Sequence, residues 1–135
     1  MTKQELKEYR QIEKEIKELR STMREVESRI YSPRIPKLTG MPSAQYTEPG
    51  SAQERTATAL FELREQYEET VERLVRKRMR IETAIELVSD PICRRILRMR
   101  YIDGRSWKAI IARINASERY VYKMHGVALQ EIEPY

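Results

Sequence analysis

The fold is decided by residues 89–132, SDPICRRILRMRYIDGRSWKAIIARINASERYVYKMHGVALQEI. Ser89-Asp90-Pro91 reads as a helix start. An Asp side chain accepts from the unpaired N–H groups of a first turn, and Pro suits the first helical position because its missing donor has no partner there. The helix that follows, ICRRILRMRYID, is expected to stop at Gly104, which enters the left-handed region without a Cβ penalty. Ser106 then caps a short helix carrying Trp107, Ile110, Ile111 and Ile114 as its apolar contacts. Asn115-Ala116-Ser117 makes a three-residue turn, and Ser117 caps a last helix, ERYVYKMHGVALQEI.

At about 100° per residue, that last helix puts Val121, Met124, Ala128 and Ile132 on one inward stripe. The opposite face carries Arg119, Lys123, Gly126 and Gln130, with Tyr122 on one edge and Tyr120 and Val127 on the other. Long cations, an amide and aromatic hydroxyls suit base edges and phosphates, and a glycine lets the helix backbone come close. Helix, tight turn, helix and a polar outer face together make a helix-turn-helix, for which double-stranded DNA is the expected partner. Charge agrees with this placement. Residues 90–135 carry nine Lys/Arg against five Asp/Glu, residues 31–89 nine against nine, and residues 1–30 eight against seven, so most of the net +5 belongs to the C-terminal third. A local basic excess is the footprint expected of a phosphate-rich partner.

Outward from this segment the chain reads as helical. With 135 residues, 35% of them charged and only four Gly and one Phe, the composition favours long exposed helices over a thick core. Leu6, Tyr9, Ile12, Ile16, Leu19, Met23, Val26 and Ile30 recur in steps of three and four, close to a heptad seam, with pairs such as Glu13 and Lys17 on the outer surface. Residues 31–52 hold four of the six prolines and two of the four glycines, which breaks any regular element; this is a linker, whose Ile35, Leu38 and Met41 can dock on neighbouring helices. A second long stripe follows: Leu60, Leu63, Tyr67, Val71, Leu74, Ile81, Ile85 and Val88. The expected fold is therefore all-α. An arm of two long amphipathic helices over 1–89, paired as a hairpin or as an intermolecular coiled coil, precedes a helix-turn-helix over 90–135. A narrow apolar seam and a single small DNA-binding unit both favour a homodimer through the N-terminal helices.

The sequence offers little for chemistry. Cys93 is the only cysteine, so no intrachain disulfide forms, and with no polarising partner it reads as a core thiol in a reducing compartment. His125, the lone histidine, falls near the inward edge of the last helix and reads as packed or phosphate-bonded, since no second metal-binding side chain shares its face. Trp107 reads as core, and Arg76, Lys77, Arg78 and Arg80 as a solvated helix face. The carboxylates fall at helix-surface spacing beside Lys and Arg, and no Gly-rich phosphate loop is present, so neither an enzyme nor a cofactor or metal site is expected. No stretch approaches the about 20 apolar residues needed to span a bilayer, and MTKQELKEYR lacks the apolar run of a signal peptide; a cytoplasmic protein with no membrane partner is expected.

Two resemblances sharpen the reading. Tyr101-Ile102-Asp103-Gly104-Arg105-Ser106-Trp107, Ile110-Ile111, Ser117, Val121 and Ala128-Leu129 resemble region 4 of sigma-70-type factors, although Ile110-Ile111-Ala112 stands where that pattern has Ile followed directly by Ala. Ser117 through Tyr122, with His125-Gly126 and Ala128-Leu129 behind long amphipathic helices, resembles the phage and prophage late-gene regulators of the ArpU and RinA type. The sigma resemblance implies base-reading roles for Glu118, Arg119, Tyr122 and Lys123, and backbone roles for Ser106 and Lys108; the helical geometry independently selects Arg119, Tyr122 and Lys123. Tyr120 is expected to meet a phosphate or a thymine methyl, Gly126 to allow close approach, and Ser117 to set the helix start. The family implies control of viral late genes in a bacterial host, acting with RNA polymerase. Two rival classes share the layout: a phage small terminase subunit, which joins a helix-turn-helix to coiled-coil helices in a packaging ring, and a protein-interaction module that uses the fold without DNA.

Overall fold

A computed structural model describes residues 1–31 and 52–135. The described residues form helices joined by short turns, with α1 (Lys3–Tyr31), α2 (Ala52–Glu86), α3 (Pro91–Leu97), a π-helical turn (Arg98–Ile102), α4 (Trp107–Ile114) and α5 (Glu118–Ile132). No helix among them is long and apolar enough to cross a membrane. The linker expected over 31–52, with Ile35, Leu38 and Met41, lies almost entirely outside the described residues.

Two compact units form. One comprises Met1–Ile16 and Arg73–Tyr135, the other Lys17–Glu72. This division differs from a boundary at 89/90, because both long helices give part of their length to the C-terminal unit. Leu6, Tyr9, Ile12 and Ile16 of α1 and Ile81, Ala84 and Ile85 of α2 are buried within it. Of the two pairings left open by the seam, the described residues adopt the one within a single chain. The Tyr9 hydroxyl bonds the Glu82 carboxylate and Lys77 pairs with Glu8 at 2.7 Å. Burial, followed by the Glu82 contact, raises the Tyr9 pKa, so the phenol stays protonated. Thr2 and Glu5 form a reciprocal cap at the start of α1: the Glu5 N–H donates to Thr2 Oγ1 at 3.2 Å, and the Thr2 N–H to Glu5 Oε2 at 2.7 Å.

In the second unit, the Arg64 Nε–H donates to Glu27 Oε1 at 2.9 Å and the rings of Tyr31 and Phe61 meet edge-on at 6.4 Å. These contacts run in opposite senses along α1 and α2, so the two helices are antiparallel there. Val26 and Val71 are buried, whereas Tyr31 and Phe61 stay exposed.

The step from α2 to α3 follows the expected chemistry. Asp90 Oδ1 accepts from the N–H groups of Ile92 at 2.8 Å and Cys93 at 3.2 Å, with Pro91 at the helix start. Arg94 closes the break from the other side, donating to the carbonyls of Val88 at 2.8 Å and Ser89 at 3.1 Å. One expectation needs correcting: ICRRILRMRYID is not one α-helix. After Leu97 it widens into the π turn, with the Asp103 N–H reaching the Arg98 carbonyl at 2.9 Å and the Arg105 N–H reaching that of Met99 at 2.9 Å. The extra residue in the turn accompanies the burial of both Met99 and Tyr101. Gly104 ends the element at φ +66°, and a Cβ there would collide with the Arg10 guanidinium lying on it.

Candidate nucleic-acid interface

Two capped helices and a left-handed residue build the site. Ser106 Oγ accepts from the Ala109 N–H at 3.2 Å, opening α4. Asn115, at φ 55° and ψ 47°, ends α4 in the left-handed region that Asn tolerates better than most side chains, and its N–H bonds the Ile111 carbonyl at 3.0 Å. Ser117 Oγ then accepts from the Tyr120 N–H at 3.1 Å and opens α5. Ile96, Met99, Ile110 and Val121 form the core beneath, with Ile92, Trp107, Ile111, Ile114, Ala116 and Met124 packed around it. Ile110 is fully buried and Ile111 half-buried, so the departure from the sigma pattern puts the second isoleucine at the edge of the same core.

α5 divides as its period requires. Val121, Ala128 and Ile132 are fully buried, while Glu118, Arg119, Tyr120, Tyr122, Lys123, Gly126 and Gln130 are exposed. Ser106, Lys108 and Ser117 are exposed as well, so all nine residues assigned to the interface from sequence lie on the surface. Glu118, Arg119, Tyr120, Tyr122, Lys123 and Gly126 share one helix, and a Cβ on Gly126 would meet nothing within 4 Å. Glu118 stands in the first turn of α5, where a carboxylate also complements the helix N-terminus. Among the described residues no ion pair ties down Arg119, Lys123 or Lys108, which leaves their charges available to a partner.

Trp107 departs from its reading as core, whereas His125 and Cys93 are buried as read. Trp107 is only half-buried and forms a hub, its ring centroid 5.0 Å from Tyr122, 4.6 Å from His125 and 4.8 Å beneath the Arg100 guanidinium. It therefore braces Tyr122, a residue of the outward face. His125 is packed, 8% exposed, with Nε2 hydrogen-bonded to the Tyr101 hydroxyl at 2.8 Å. Burial first, and then the charges of Lys3 and Arg100, pull its pKa down to about 4, so the imidazole is neutral at pH 7. Cys93 is buried, bonded through Sγ to the Met124 carbonyl at 3.6 Å, and burial pushes its thiol up to about 11, which suppresses the reactive thiolate. Of the α2 cluster, Arg76, Lys77 and Arg80 are exposed, with Lys77 paired to Glu8, and Arg78 is half-buried.

One feature of the site carries no signal in the sequence. Lys3, Lys7 and Arg10 of α1 meet Arg100 around a concavity beside Trp107 and His125. At least 90 positions separate the two groups, and no local pattern signals their meeting. Among the described residues no group of three or more His, Cys, Asp or Glu is placed to hold a metal ion.

No curated protein and no solved structure matches the chain. Residues 49–133, which include all of α2 to α5, match the family described as a protein of unknown function, DUF1492. That match spans more than half of the sequence, and the chain therefore belongs to the DUF1492 family.

Proposed function

We propose that this protein is a sequence-specific DNA-binding transcription regulator that inserts α5 into a major groove. The observation that carries the reading is the outward face of α5: Arg119, Tyr122 and Lys123 stand exposed beside Gly126, while Val121, Ala128 and Ile132 fix the opposite side in the core. In this reading Arg119 and Lys123 donate to base-edge acceptors, Tyr122, held by Trp107, and Tyr120 meet phosphate or a thymine methyl, and Glu118 accepts from a cytosine amine. Ser106, Lys108 and Ser117 sit at the starts of α4 and α5, where first-turn N–H groups suit backbone phosphates.

The likeness of residues 90–132 to ArpU- and RinA-type regulators supports a late-gene activator of a phage or prophage, acting with RNA polymerase in the cytoplasm of a bacterial host. One helix-turn-helix makes few contacts, so a homodimer on paired half-sites supplies the affinity needed at physiological salt. With the seam of α1 and α2 used within the chain, the exposed rings of Tyr31 and Phe61 are apolar surface open to such a dimer. The test is selection of bound duplexes from a random library by the full chain, followed by footprinting. A discrete motif in paired copies is expected, whereas recovery of unrelated sequences at every salt concentration overturns the reading.

A further inference from the structure

The concavity between the start of α1 and the Trp107 edge of the C-terminal unit has a volume of about 330 Å³, at the small end of ligand-binding sites. Lys3, Lys7, Arg10 and Arg100 line it, and no lining residue is acidic. Among the described residues none of the four makes an ion pair, although both α1 and α2 are rich in carboxylates. Like charges lining one cavity repel, and a bound anion relieves that repulsion.

Two of the four cations are held in position. The Arg10 Nη1 donates to the Asp103 carbonyl at 3.2 Å, which ties α1 to the turn before α4. The Arg100 Nη1 donates to the Arg105 carbonyl at 3.1 Å and the guanidinium lies over the Trp107 ring. Each keeps further N–H groups free, and a planar guanidinium fixed in advance loses little entropy on binding an oxyanion. Lys3 and Lys7, one helical turn apart and exposed, add mobile point charges at the rim. We propose that this concavity is a phosphate site, in which Arg10 and Arg100 form the fixed donors and Lys3 and Lys7 close over a phosphate ester. The ester belongs either to a DNA backbone passing beside α4 or to a free phosphorylated small molecule.

Trp107 is the only tryptophan and forms part of the wall, so its fluorescence reports occupancy directly. The full chain is titrated with inorganic phosphate and with pyrophosphate at constant ionic strength, comparing the wild type with the double variant Lys3→Gln/Lys7→Gln. Lys14→Gln/Lys17→Gln, equally exposed on α1 and outside the concavity, controls for lost charge. A saturable response is expected, its half-saturation rising about tenfold in Lys3→Gln/Lys7→Gln and unchanged in the control, the size expected when charge-assisted contacts are lost. A second arm measures the salt dependence of duplex binding. A slope smaller by about one to two in Lys3→Gln/Lys7→Gln alone assigns the site to the DNA backbone, and an unchanged slope beside an intact phosphate response assigns it to a free ester. Only the duplex arm rests on the DNA-binding reading, so a chain that binds no duplex defeats that reading while the phosphate arm still reports. The phosphate site is overturned when Lys3→Gln/Lys7→Gln behaves like the control in both arms.

Discussion

Gly126 lies on the outward face of α5, with open space where a side chain would stand. Within a helix, alanine is favoured over glycine by about 1 kcal/mol. Gly126→Ala is therefore expected to raise stability by about 0.5–1 kcal/mol in chemical denaturation. If the glycine is there to let DNA approach the backbone, the same variant binds the selected duplex more weakly. Stability and affinity moving in opposite directions is the expected outcome, and a gain in both removes Gly126 from the interface. Gly104 is the contrasting case, since its φ of +66° is strained for any residue with a Cβ. His125 supplies a pH signature. Its folded pKa of about 4 lies below the ordinary imidazole value of 6.5, so between these values the unfolded chain binds a proton that the folded one does not. Stability is undiminished above pH 6.5, falls as pH drops through that window, and is lower by on the order of 3 kcal/mol once the pH is below about 4. Denaturation of the wild type and His125→Phe at pH 7.5 and pH 5 isolates this term: the wild type is expected to lose more stability than the variant.

At the scale of elements, the caps and the buried stripe of α5 are separable by mutation. Ser117→Ala removes an acceptor for the Tyr120 N–H and is expected to cost about 1 kcal/mol, leaving a cooperative transition. Val121→Asp sets an unpaired charge in a site of 0% exposure and is expected to abolish the cooperative unfolding of the C-terminal unit, read by circular dichroism. These elements were legible because their signals are local. Asp90, Ser106 and Ser117 announce helix starts through one side-chain oxygen each, Gly104 and Asn115 mark left-handed positions, and the stripe from Val121 to Ile132 follows from the helical period alone. The π turn at Arg98–Ile102 was not legible, because it differs from an α-helix by one residue per turn and depends on the burial of Met99 and Tyr101.

At the scale of the whole molecule, the exposed face of α5 was readable from composition and period, whereas the surroundings of Trp107 were not. Burial of His125 against Tyr101 and the arrival of Lys3, Lys7 and Arg10 at Arg100 depend on packing between residues far apart in sequence, as does the membership of Met1–Ile16 in the C-terminal unit. The seam from Leu6 to Ile16 announced that α1 needs a partner and left that partner's identity open. Whether the Arg119 and Lys123 side of α5 reads bases is decided by fluorescence anisotropy of the full chain on its selected duplex at fixed salt. Arg119→Ala and Lys123→Ala are each expected to lose about 1–3 kcal/mol on that duplex and much less on a scrambled one, with the wild-type melting transition retained. Unchanged affinity for the selected duplex in both folded variants would contradict the account.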